Sequence, residues 1–117
     1  MESSVKHEIK SKCLVELFIE TLGSKWKILI IWHLRNSPLR FTDLQKKMHN
    51  VNSNTLTFNL RELENQKIIT RTIFPEIPPR VEYALTEHGK ALFPVFDAIR
   101  VWGAEYLESE GMTMDVC

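Results

Sequence analysis

Residues 53–67, running Ser-Asn-Thr-Leu-Thr-Phe-Asn-Leu-Arg-Glu-Leu-Glu-Asn-Gln-Lys, carry the side chains of this chain best suited to recognition chemistry. Short amides and hydroxyls crowd the start of the stretch, and a helix bearing such groups fits a DNA major groove, where they donate to and accept from base edges. Asn54, Thr55 and Asn59 are the expected base-edge contacts, since Asn pairs bidentately with adenine and Thr meets either base type or a thymine methyl. Phe58 leaves two readings open: it presses on thymine methyls from the exposed face, or it tucks under a neighbouring element as core. Ser53 caps the helix and, with Lys25, Arg40, Lys46 and Arg61, suits phosphate positioning more than sequence reading. The plain alternative for the whole stretch is an amphipathic helix whose polar face only meets water.

Several elements must hold such a helix in place. Leu56, Leu60 and Leu63 recur at i, i+4 and i+7 and predict one apolar face. Upstream, Thr42-Asp43-Leu44-Gln45 reads as a capping box, with Thr42 as cap and Gln45 reaching back, opening a helix to about Met48. The polar turn 49–52 then joins helix to helix, the arrangement of a helix-turn-helix whose second member reads DNA. Downstream, residues 68–74 and 80–85 are rich in strand formers and are separated by the stiff loop 75–79. They predict a wing over 68–85, with Arg71 and Arg80 as cations for the phosphate backbone or minor groove.

A first helix over residues 14–22 ends at Gly23, and Ser24 caps a second, nearly all-apolar helix to about Arg35, expected at the centre of the core. Thr86 is expected to cap a terminal helix over 86–109, in which Pro94 either kinks the helix or marks its true first turn. The terminal and first helices hold more apolar surface than a small winged domain can bury. Leu14, Leu17, Phe18, Phe96, Ile99, Trp102 and Tyr106 are therefore the expected dimerisation residues; the alternative is that both helices cover the sheet of one monomer. The predicted fold class is α+β, a mostly helical winged helix-turn-helix with a two- to three-stranded antiparallel wing, one domain over 1–117 whose first 12 residues are frayed or loosely helical.

Composition sets the outer bounds. With 117 residues, 44% apolar and 26% charged, the chain has enough material for one globular core. The longest apolar run, residues 28–32, is far short of the roughly 20 residues of a membrane span, so a soluble, cytoplasmic protein without membrane contact is expected. The formal charge is zero, but residues 1–39, 40–80 and 81–117 carry +2, +3 and −5. A basic middle beside an acidic end suggests that one face meets an anion. Paired carboxylates, a nucleophile with its base and a phosphate loop are all missing, which argues against an enzyme.

Cys13 and Cys117 have no metal-ligand spacing, and His7, His33, His49 and His88 form no paired motif, so neither metal nor cofactor is expected. Cys13 precedes the first helix, whose positive end, with Lys10 and Lys12, favours a thiolate. It is a candidate redox or electrophile sensor, against the alternative of a small inert hydrophobe. A partnership between Cys117 and Cys13 across subunits is a further option.

Residues Cys13-Leu14-Val15-Glu16, Gly23-Ser24-Lys25-Trp26, Arg40-Phe41-Thr42-Asp43-Leu44, Leu60-Arg61-Glu62-Leu63, Pro78-Pro79-Arg80-Val81-Glu82-Tyr83 and Leu85-Thr86-Glu87-His88-Gly89 resemble the HxlR-type transcriptional regulators, within the MarR-like winged helices, from about Cys13 to Tyr106. The resemblance implies a homodimer on double-stranded DNA, with two reading helices on a pseudo-palindromic operator and half-sites about 34–36 Å apart. It also implies a sensing role for the cysteine at position 13, although Leu14 stands where relatives usually have proline. Phe58-Asn59 replaces a more polar or basic pair, so the operator should differ from those of relatives. Two rivals remain: a regulator switched by an unknown small-molecule effector in an apolar cavity between the central and terminal helices, and a winged-helix module that binds protein.

Overall fold

The computed structural model describes residues 12–49 and 51–114. The expected frayed segment before residue 12, Lys10, Asn50 and Cys117 lie outside the described residues. Among the described residues six helices and three strands follow in the order α1 (Leu14–Leu22), α2 (Lys25–His33), β1 (Leu39–Arg40), α3 (Phe41–Lys47), α4 (Ser53–Asn65), β2 (Ile69–Phe74), β3 (Arg80–Leu85), α5 (Glu87–Lys90) and α6 (Phe93–Ser109). The strands form one antiparallel sheet in the order β1-β3-β2, with Leu39 opposite Tyr83 and Ile69 opposite Leu85. This is a winged helix-turn-helix, α+β and mostly helical, with a three-stranded wing.

Local chemistry sets the helix starts, and in three places it departs from the expected caps. Ser24 does cap α2, its hydroxyl accepting from the amides of Trp26 and Lys27. Helix α4, however, is capped by Asn52, whose Oδ1 accepts from Thr55 N at 2.8 Å, and not by Ser53. Helix α3 starts two residues earlier than Thr42 would allow: Arg40 is the capping position, and its amide donates to Asp43 Oδ2 at 3.2 Å. Gln45 does not reach back to the cap; its Nε2 donates to Ser53 Oγ at 3.1 Å and ties α3 to the start of α4.

Thr86 caps only the short α5, accepting from Gly89 N and donating to the carbonyls of Lys67 and Ile68. The terminal helix is thereby split, and α6 begins anew at Phe93 with Pro94 in its first turn, where a missing amide costs nothing.

Ile30, Ile31, Leu44, Leu56, Leu60, Leu63 and Ile69 are fully buried and join α2, α3, α4 and β2 in one core. The three leucines of α4 face inward as their spacing requires. Helix α6 joins this core through Phe96, which packs against Trp32 of α2 with ring centroids 5.5 Å apart. Phe96 is therefore an anchor within the chain and not a free dimerisation residue. The remainder of the α6 stripe and most of α1 stay outside: Leu14 is 81% exposed and Trp102 63% exposed. No helix among the described residues is long and apolar enough to cross a membrane.

Candidate nucleic-acid interface

The inward leucines of α4 dictate what its opposite side presents. Asn54, Phe58 and Arg61, at i, i+4 and i+7, are all exposed and form one stripe facing solvent. Phe58 is 61% exposed, which removes the reading in which it tucks under a neighbouring element as core. Thr55 and Thr57 are half-buried at the stripe's edges.

Asn59 is a correction. It is 5% exposed and both ends of its amide are used inside the chain: Oδ1 accepts from Ser24 Oγ at 3.1 Å and Nδ2 donates to Thr55 O at 2.8 Å. It holds the first turn of α2 against α4 and has no free group for a base. A buried amide in this position remains only because its hydrogen bonds are met.

Below it, Lys27 is a second buried polar residue that the sequence reading missed. Its ammonium donates to Glu62 Oε1 at 3.0 Å, Thr21 O at 3.2 Å and Gln66 Oε1 at 3.3 Å. Gln66 Nε2 also donates to Thr21 O, at 3.1 Å. The end of α1, the first turn of α2 and the last turn of α4 thus share one polar network. The available signal was a lysine inside an otherwise apolar helix.

The wing stands beside the exposed stripe. Thr57, Arg61, Glu64, Arg71 and Tyr83 enclose a small cleft of about 210 Å³ between α4 and the sheet. Arg71 lies 3.6 Å from Glu64, an ion pair with both side chains substantially exposed, which positions the wing more than it stabilises it. Burial holds the Tyr83 phenol above its usual range, with Glu64 adding to the effect and Arg71 and Arg61 opposing it. Tyr83 therefore stays a neutral hydroxyl donor in this cleft.

The expected phosphate contacts separate into two groups. Arg40 at the end of β1, Lys46 on α3, and Ser53 and Arg61 on α4 are exposed. Arg80 is not a free cation: its guanidinium lies 3.1 Å from Glu76 and 3.6 Å from Glu82, and its carbon centre sits 4.1 Å from the Phe74 ring centroid. Two carboxylates offset its charge, so it braces the wing internally. Lys25 lies against its neighbour Trp26, the ammonium 4.6 Å from the ring centroid, and lines a different cleft between α2 and the end of α3.

Cys13 is exposed and caps α1, with Sγ accepting from Glu16 N at 3.4 Å. The neighbouring carboxylate of Glu16 accepts from the Lys12 amide at 3.0 Å, so an acid shares the cap with the thiol. No cluster of side chains able to hold a metal occurs among the described residues.

Comparison with known proteins agrees with this geometry. The profile of the HxlR-like helix-turn-helix family matches residues 21–111. An uncharacterised HTH-type transcriptional regulator of Methanothermobacter thermautotrophicus is 43% identical over 94 residues, covering 80% of this chain and 72% of the relative. The crystal structure of a putative HTH-type transcriptional regulator, ytcD, superposes with a TM-score of 0.78 at 38% identity, covering 82% of this chain and 98% of that one. The redox regulator HypR in its oxidised form superposes with a TM-score of 0.75 at 33% identity, covering 89% and 100%.

Proposed function

This chain belongs to the HxlR-like helix-turn-helix family and has the DNA-binding fold of a transcriptional regulator, and from that premise we propose that it reads a pseudo-palindromic operator as a homodimer. The observation that carries the reading is the exposed stripe Asn54, Phe58 and Arg61, set beside the wing on a helix whose other face is locked into the core. Asn54 offers the amide that suits adenine and Phe58 the apolar edge that suits thymine methyls. Arg61, Arg40 and Lys46 supply backbone contacts that fix register.

Dimerisation is supported by the apolar faces left open on α1 and α6, where Trp102 and Tyr106 stack with centroids 5.1 Å apart on the outside of the chain. Exposed aromatic patches of this kind mark contact surfaces. Two-fold symmetry then sets two α4 helices into successive major grooves about 34–36 Å apart, and the chain works in the cytoplasm, with the chromosome.

Cys13 is the proposed redox switch. Its support is an exposed thiol at the cap of α1, a helix assigned to the dimer contact, together with the likeness to a structure described as a redox regulator. Footprinting of the purified chain on the DNA upstream of its own gene, with and without diamide, tests both parts. Protection over two half-sites that is lost in diamide and kept by Cys13→Ser is expected. Absence of protection at low salt overturns the regulator reading, while protection indifferent to diamide overturns only the switch.

A further inference from the structure

A cleft of about 760 Å³ opens between α2, residues 35–39 and the end of α3, a volume within the usual range of small-molecule sites. Its floor is apolar, made by Trp26, Leu29, Leu39 and Met48, and Met48 is itself part of the buried core. Its walls are cationic: Lys25, Arg35 and Lys47, with His33 and His49 between them, and among the described residues no carboxylate lines it. Among the described residues none of these three permanent cations is held in an ion pair. Two of them are nonetheless fixed in place. Arg35 stacks on Trp32 at 3.7 Å from the ring centroid and donates from Nη1 to Trp32 O at 2.9 Å, while Lys25 sits over Trp26. The exposed stripe of α4 takes no part in this cleft.

Three cations that border an apolar floor, with no ion pair among the described residues, repel one another, and an incoming anion relieves that repulsion. A flat hydrocarbon body gains by covering Trp26 and Leu29, and cations already ordered on aromatic faces lose little freedom on binding. We propose that this cleft binds a small ring-bearing organic anion, a carboxylate or phosphate on a flat apolar body. The anion lies toward Arg35 and Lys47, and the ring lies on the Trp26 side.

His33 adds a signature. Burial lowers its pKa from the ordinary imidazole value, and Lys47, Arg35 and His49 push it further in the same direction. Among the described residues the charged groups that act on it, Arg35 just past α2 and Lys47 and His49 at the end of α3, are all basic. An anion in the cleft offsets that repulsion and raises the His33 pKa, so binding takes up a proton and tightens as the pH falls below neutrality.

The test is calorimetric titration of the full chain with 2-naphthoate and 2-naphthyl phosphate, alongside neutral 2-naphthamide and inorganic phosphate. The two naphthyl anions are expected to bind saturably at one per chain, and naphthamide and inorganic phosphate each at least about tenfold more weakly, the loss that goes with removing one strong polar or apolar contribution. Lys47→Gln should lose roughly tenfold in affinity for both anions, whereas Lys90→Gln, a surface lysine outside the cleft, should lose nothing. Binding should tighten between pH 8 and pH 6, and His33→Gln should flatten that dependence. Equal affinity for naphthamide, equal affinity for inorganic phosphate, or indifference to Lys47→Gln each overturns the proposal; a pH dependence that survives in His33→Gln overturns the role of His33.

Discussion

The ammonium of Lys27, buried in α2, lies 3.0 Å from Glu62 Oε1 on the helix that carries the recognition stripe. Glu62 is 42% exposed on its side chain while Lys27 is buried, and the pair is therefore unequal. Removing Glu62 leaves a buried cation with only neutral acceptors; removing Lys27 leaves a carboxylate that turns to water. Glu62→Ala should cost about 1–3 kcal/mol in urea unfolding, and Lys27→Met, which fills the slot with an apolar chain of similar length, distinctly less. Equal costs for the two substitutions would contradict this asymmetry.

Asn59 and Phe58 are neighbours in sequence with opposite roles. Asn59→Ala should lower stability by about 1–3 kcal/mol, because it leaves Ser24 without its acceptor, while the base preference of the folded protein stays the same. Phe58→Ala should leave stability within about 0.5 kcal/mol and shift the preferred operator at one A·T step. Selection from a randomised duplex pool, paired with thermal melts, reads both effects. A changed preference with Asn59→Ala would return that residue to the groove.

The misplacement of Asn59 shows how the sequence misleads. Its amide suggested exposure, but three residues after Leu56 and four before Leu63 it lies on the buried side of α4 by helical geometry alone. Position outweighs polarity once partners exist to satisfy the amide, and those partners, Ser24 and Thr55, come from another helix and from the backbone. The fold itself was legible, because leucine spacing and strand formers are local signals, even though the caps of α3 and α4 fell on Arg40 and Asn52 and not on Thr42 and Ser53. Phe96 was assigned to a dimer for a similar reason: periodicity places a residue on a face but says nothing of which neighbour covers it. The charge of Arg80 was legible, but its compensation by Glu76 and Glu82 across a turn was not.

Arg61 of α4 and Arg80 of the wing should separate by salt dependence. Arg61, exposed and without an ion pair among the described residues, should reduce the slope of log affinity against log salt by about 1 when replaced by alanine. Arg80→Ala should leave that slope nearly unchanged and weaken binding by loosening the wing, since it also removes the packing on Phe74. Anisotropy titrations from 50 to 300 mM salt, roughly the range over which counterion release is read, distinguish the two. A loss of slope with Arg80→Ala would mean that DNA displaces its carboxylates.

The turn from α4 into the wing carries two backbone demands. Lys67 sits at a φ of 65°, a region that glycine enters without steric cost, and Lys67→Gly should stabilise by a few tenths to about 1 kcal/mol after its own entropy loss. Gly89 is the reverse case: a Cβ there would lie 2.7 Å from Ile68 O and 2.9 Å from Leu85 Cδ2. Gly89→Ala should therefore cost about 1–3 kcal/mol. Melts of the two variants should move in opposite directions, and a neutral Gly89→Ala would mean that α5 shifts freely on the sheet.

Helix α6 divides its aromatics between two tasks, and substitution should separate them. Phe96 packs on Trp32 inside the chain, so Phe96→Ala should cost about 3–5 kcal/mol of stability whatever the oligomeric state. Trp102 packs on Tyr106 at the surface, so Trp102→Glu should leave the fold of one chain intact and place a carboxylate where a two-fold contact would bury it without a partner. Sedimentation velocity should show a dimer for the parent and a monomer for Trp102→Glu, with unchanged helical circular dichroism. Operator affinity should then fall steeply, because a single α4 retains half of the contacts. A Trp102→Glu chain that remained dimeric would move the interface off this face of α6, and one that became monomeric yet bound the full operator at parental affinity would remove dimerisation from the DNA-binding mechanism.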